Sequence, residues 1–181
     1  MQGVPNTAFT EALAFIFQKR DLELLGKPQT DPAKDALAAL DNCWSSYEIM
    51  GVSLVDMKVW KWMYKHPNAT KAELKETVIT TAKEVWNQYF APVFGIEDTP
   101  ILAIYSHMID NPLYLSNYPV GHIIDFQIDE YLKGKNFADE TLRIYAAGKL
   151  IPQIWMKNAV GEEISIQPLL KATDNALQIM K

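Results

Sequence analysis

Apolar residues recur along the chain at the three- and four-residue spacing of amphipathic helices, and Gly and Pro cut the pattern into helix-length pieces. The most apolar piece covers residues 105–132, YSHMIDNPLYLSNYPVGHIIDFQIDEYL. Asn111 is a good N-cap and Pro112 suits a first helical position, so the spacing predicts a helix that begins there and stops at Gly134. Tyr114 and Tyr118, four apart, would then share one face. Ile123, Ile124, Phe126, Ile128 and Leu132 cover more than one face, which marks a helix buried in a larger body. Pro119 lacks an amide donor and Gly121 adds looseness, so a kink is expected just after Tyr118.

The remaining segments read the same way. Asn6 or Thr7 caps a first helix that is expected to continue to a stop at Gly26-Lys27-Pro28. Ala8, Phe9, Ala12, Leu13, Phe15, Ile16 and Phe17 leave it little polar face, and Glu11 sits among them. Lys19, Arg20, Asp21 and Glu23 read as solvent-side charges. Asp31-Pro32 opens a long helix with a break or bend expected at Gly51 and an end before His66-Pro67. The aromatic residues Trp44, Tyr47, Trp60, Trp62 and Tyr64 along it read as packing. Thr70 and Glu73 fit a capping box, with a helix to about Tyr89. Asn136 caps a helix through about Lys157 that Pro152 bends or splits, and Gly161 closes it. Ser165 caps a last amphipathic helix in which Ile166, Leu169, Leu170, Ala176, Leu177 and Met180 can face inward. No segment alternates like a strand or repeats, so the fold class is all-α, an irregular multi-helix domain.

Composition narrows the function. With 181 residues, half of them apolar, the chain can bury one core and is most simply a single domain over residues 1–181. A net charge of -5 and no basic stripe argue against a nucleic-acid surface, because phosphate binding needs clustered positive charge. Cys43 is alone, excludes an intrachain disulfide, and reads as a small core residue. No run approaches a membrane span of roughly 18 apolar residues.

Three sets of residues could carry chemistry, of which the aromatic cluster of residues 44–64 reads as a core face rather than a ligand platform. Glu11, on its apolar helix, is either half of a buried ion pair with a Lys or Arg or a carboxylate ligand to a metal, since an unpaired buried charge is costly. The helical zinc motif H-E-x-x-H is absent: His66 is followed by Pro67, His107 by Met108 and His122 by Ile123. His107 and Tyr118 are either structural or donors to the oxyanion of a tetrahedral intermediate, for which an imidazole and a phenol are suited. His66 and His122 read as structural.

Taken together, Asn6-Thr7-Ala8-Phe9-Thr10-Glu11-Ala12 and the segment from His107 through Ile124-Asp125-Phe126-Gln127 resemble the all-helical zinc peptidases, gluzincins such as angiotensin-converting enzyme and the thimet-type oligopeptidases. In that family a Glu about two dozen residues after H-E-x-x-H is the third zinc ligand, which here is similar to Glu11. Later, a His and then a Tyr about ten residues on stabilise the oxyanion, similar to His107 and Tyr118. The resemblance extends over most of the chain to the closing helices. It implies the C-terminal part of a clamshell-like helical peptidase, with Met1 falling roughly a dozen residues after the second His of the missing motif. It further implies zinc in the complete enzyme, none bound tightly to this chain alone, a peptide substrate, and the H-E-x-x-H portion as partner.

Three departures bear on specificity. Tyr105 stands where the dipeptide-releasing members carry Lys, so carboxydipeptidase specificity does not carry over. Asn117 stands where the chloride-dependent members carry Arg, so chloride activation is not expected. Tyr114 resembles a carboxylate-binding Tyr, although its spacing to Tyr118 is one residue longer. The rival expectation is a helical interaction or scaffold domain that does no chemistry and in which Glu11 is an ion-pair member.

Overall fold

The computed structural model describes residues 3–20 and 31–181. Among the described residues it contains nine α-helices, a short 3-10 turn over Ile101–Ala103, and no strand. These residues group into two compact units, one formed by those up to Ser46 together with Asn117–Lys181, the other by Tyr47–Ser116.

In the first unit, helix α1 (Thr7–Lys19) is capped by Asn6, whose Oδ1 accepts from the Ala8 amide at 3.1 Å. It ends at Lys19 with Arg20 as C-cap, and the expected stop at Gly26 lies outside the described residues. Two helices carry the long second pattern and the capping-box pattern, α2 (Pro32–Lys65) and α3 (Lys71–Tyr89). Two single-turn helices follow, α4 (Ala91–Phe94) and α5 (His107–Asp110). The helix at the centre of the first unit is α6 (Asn117–Leu132), and it packs against α1, α8 (Pro152–Val160) and α9 (Gln167–Ile179). Its burial on more than one face is as expected: Ile124, Asp125, Phe126, Gln127, Ile128 and Leu132 are all buried. Ile124, Ile128 and Leu132 form the core with Phe9, Ile16, Ile144 on α7 (Phe137–Tyr145), Trp155 and Met156. The Phe9 and Trp155 rings meet edge to face at 4.8 Å, a favoured aromatic geometry.

The start of α6 differs from the expectation. Asn111 does not open a helix; it closes α5, its amide donating to the His107 carbonyl at 2.9 Å. Leu113 then takes φ +63, which no α-helix accommodates. The helix begins at Asn117, so Tyr114 precedes it and does not share a helical face with Tyr118. Pro119 is thereby the third helical residue, where its missing amide would have had no intrahelical partner, and the reason to expect a kink disappears.

Asn136 caps α7 by accepting from the Asp139 amide, but the helix ends at Tyr145, well before Pro152; Gly148 takes φ 75 in the connection, and Pro152 starts α8. Gly161 ends α8 in the left-handed conformation at φ 86. Ser165 Oγ accepts from the Gln167 amide at the start of α9. On α9, Leu169 and Ala176 are buried, whereas Ile166, Leu170, Leu177 and Met180 are exposed. Residues seven apart lie on one line of a helix, and along that line, flanked by half-buried Pro168, Ala172 and Thr173, the helix is covered.

In the second unit, α2 runs through Gly51 without interruption. A Cβ at Gly51 would lie 2.5 Å from the Phe90 ring, so this glycine serves close packing rather than a bend. The aromatic residues of α2 are not the core face expected of them. Trp44 and Tyr64 are exposed and Tyr47, Trp60 and Trp62 half-buried, as is Cys43; the buried line is Val52, Val55, Asp56 and Val59. The Thr70–Glu73 capping box of α3 is present in both directions. Phe90 and Phe94 each stack on Trp86, at 5.3 and 5.5 Å, and Trp86 Nε1 donates to the Ile96 carbonyl at 2.7 Å.

Candidate functional site

Glu11 lies on α1, half-buried, and Tyr118 in the first turn of α6. The close approach of these helices is made at Gly121. A Cβ there would meet Glu11 Cβ at 2.9 Å, the Ala8 carbonyl oxygen at 3.1 Å and the Phe15 ring at 3.2 Å. Burial, and then the negative charge of Glu11, push the Tyr118 phenol above its ordinary range. It therefore stays protonated at neutral pH and able to donate.

One turn further along α6, the His122 ring stacks on Phe15 at 3.9 Å with nearly parallel planes. Burial, assisted by the Lys19 charge, lowers it to about 4, so it is neutral. Asp125 follows, fully buried. Lys19 Nζ stands 2.6 Å from its Oδ2, an ion pair. Burial outweighs that cation and raises Asp125 to about 6. Arg20 pairs with Asp129 at 2.6 Å. Lys19 and Arg20 are thus not simply solvent-side charges; they tie the end of α1 to α6.

The second unit holds the other two candidates. His107 opens α5, half-buried, and its ring centroid is 6.3 Å from that of Tyr114. Tyr105 donates to Glu48 Oε1 at 3.1 Å, and burial raises its phenol. Asp56, on α2, accepts from the Leu113 amide at 2.8 Å. The structure thus assembles two pairs, Glu11 with Tyr118 and His107 with Tyr114.

Asp125, Asp56 and Gly121 were missed in the sequence. A signal existed for Asp125, an acid enclosed by Ile124 and Phe126 in the most apolar run of the chain, because such a group needs a partner. Asp56, between Val55 and Met57, carried a weaker form of it. An open cleft of about 390 Å³ beside Trp62, Glu73 and Glu84, and two smaller ones, contain none of the four candidate residues.

Zinc is the metal that the resemblance implies. Among the described residues no three His, Cys, Asp or Glu side chains converge to hold an ion. Glu11 offers oxygen donors of the right type in a half-buried place, which fits one position of a three-ligand site and no more. Compared with protein families, curated proteins and solved structures, the chain finds no match.

Proposed function

We propose that this chain is the C-terminal helical portion of a zinc-dependent metallopeptidase, with Glu11 as a metal ligand, Tyr118 and His107 as oxyanion donors and Tyr114 on the bound peptide. The observation that carries this reading is that Glu11, at the close α1–α6 approach made at Gly121, stands near enough for its charge to raise the Tyr118 phenol. A third ligand and an oxyanion donor must lie near one another, since both act on the same carbonyl. These two come from distant parts of the sequence.

Zinc, when bound, would polarise the peptide carbonyl and lower the pKa of the attacking water. Glu11 would hold it through a carboxylate oxygen, beside two imidazoles from an H-E-x-x-H segment. Tyr118, kept protonated, would donate its hydroxyl hydrogen to the oxygen that becomes negative as the carbonyl is attacked. His107, in the second unit, is given its role as an oxyanion donor by the family resemblance alone, and Tyr114 beside it would hold the peptide without taking part in bond changes.

The test is the reading frame upstream of Met1 and the longer chain it encodes. An in-frame H-E-x-x-H about two dozen residues before Glu11, with stoichiometric zinc lost on Glu11→Gln, is the expected result. A longer chain that lacks the motif, or whose zinc content is unchanged by Glu11→Gln, would remove the assignment.

A further inference from the structure

Leu113 adopts φ +63, a left-handed conformation that is uncommon for any residue but glycine. Strain of this kind persists where the surroundings over-determine it, and it clusters near functional sites. Here the restraint is visible. The Leu113 amide donates to Asp56 Oδ2 at 2.8 Å, and Asp56 is only 1% exposed. Burial raises the Asp56 carboxyl while the amide bond opposes it, and Oδ1 is buried with no hydrogen-bond partner among the described residues. A buried carboxylate with one backbone donor is a costly arrangement for stability alone.

What the clamp holds is the turn between two candidate residues. The Asn111 amide returns to the His107 carbonyl at 2.9 Å and the Tyr114 amide to the Asn111 carbonyl at 3.1 Å. Leu115 anchors the far side, completely buried. Leu113 is the residue between these contacts, and its backbone sets where Tyr114 emerges, 6.3 Å from the His107 ring.

We infer that Asp56 is a positioning residue, which clamps the Leu113 amide and thereby fixes Tyr114 beside His107. Its purpose rests on the peptidase reading, in which the spacing of these two rings sets the bound peptide against the oxyanion donor. Its geometry does not.

The test uses the 181-residue protein and the ring-proton resonances of His107, with Tyr114→Leu defining their positions when the neighbouring aromatic ring is gone. Asp56→Ala should move them to the Tyr114→Leu values and speed exchange of the Leu113 amide by about tenfold or more, as for a locally opened segment. Asp56→Asn retains a carbonyl acceptor and should restore both signals. Should Asp56→Ala fail to fold, the same signals are read with Leu113→Gly added, since glycine takes a positive φ without strain. Resonances and exchange unchanged from the parent in the alanine variant would overturn the clamp. Absence of zinc from the longer chain would count against the peptidase reading and leave these signals as they are.

Discussion

Lys19 and Asp125 form an ion pair whose two ends are in different surroundings: the Lys19 side chain is 23% exposed, while that of Asp125 is 0% exposed. Nζ also lies 3.6 Å from the centroid of the Phe126 ring, so the cation is stabilised by a π face and a carboxylate at once. The pair does not repay the desolvation of Asp125, which is why that acid sits near 6 rather than 3.8.

His122, three residues before Asp125, makes the consequence measurable. Asp125 is raised to about 6; between its ordinary 3.8 and that value the folded state keeps a proton that the unfolded state has released. Its contribution to stability is therefore lost as pH rises through this window. His122 is lowered from 6.5 to about 4; between those values the unfolded state binds a proton that the folded state refuses, so stability is lost as pH falls. The two slopes oppose, each worth roughly 3 kcal/mol across its window. Urea midpoints from about pH 4 to 6.5 should vary little for these groups in the parent. Asp125→Asn should expose a loss of stability on acidification, and His122→Phe a loss on raising the pH. Slopes of the same sign in both variants would refute the account.

Gly121→Ala should separate α1 from α6. Alanine favours a helix interior over glycine by about 1 kcal/mol, so a variant that is less stable by urea denaturation reports steric conflict with Glu11, Ala8 and Phe15. We expect a net loss of about 1 to 3 kcal/mol, the usual cost of overpacking. The Tyr118 phenol should titrate lower, as it should in Glu11→Gln, and the two effects should not add. A stabilised Gly121→Ala with unchanged Tyr118 titration would mean that this contact is looser than it looks.

Thr70→Ala removes one half of the capping box on α3 and should cost about 1 kcal/mol. The Glu73 carboxyl, held low by the Thr70 amide and hydroxyl, should rise because one of those donors is gone. Carbon-13 titration of Glu73 and thermal melts read the two effects separately.

On the peptidase reading, in a zinc-loaded chain that carries H-E-x-x-H, Tyr118→Phe should lower kcat and kcat/KM together by about 100-fold to 1,000-fold with KM nearly unchanged, the mark of an interaction made late in the reaction. Tyr114→Phe should act on KM instead. The 181-residue protein alone should give no stoichiometric zinc binding in a calorimeter, since Glu11 by itself cannot fix a tetrahedral site. A tight site abolished by Glu11→Gln would show ligands other than those assigned.

How much of this was legible in the sequence varies with the range of the interaction. Capping at Asn6, Thr70 and Asn136 and the stops at Gly134 and Gly161 were readable because each depends on a few neighbouring residues. The opening of α6 was not. Asn111-Pro112 carries the local signature of a helix start, but the Asp56 clamp on Leu113, from a distant helix, overrides it. The α2 aromatics misled for a related reason: periodicity places a ring on a face but does not say whether anything covers that face. Of the candidate residues, the sequence placed Glu11 and Tyr118 as a pair only through the family resemblance. Gly121, which brings them together, has no sequence signature, because a glycine chosen for close approach and one tolerated in a helix look alike.

Gln127 gives this all-helical protein a short imitation of a β-ladder. Its carboxamide, buried on α6, donates from Nε2 to the Glu163 carbonyl at 2.8 Å and accepts at Oε1 from the Ser165 amide at 3.0 Å. A peptide group in a neighbouring strand would offer the same donor and acceptor, so residues 163–165 are paired as though to a one-residue sheet edge. That pairing tolerates no acid. Glutamate at 127 would match the shape but present two acceptors, setting a buried carboxylate against the Glu163 carbonyl. The segment that delivers the chain into α9 is thus held by the one side-chain type of that length that both gives and takes a hydrogen bond.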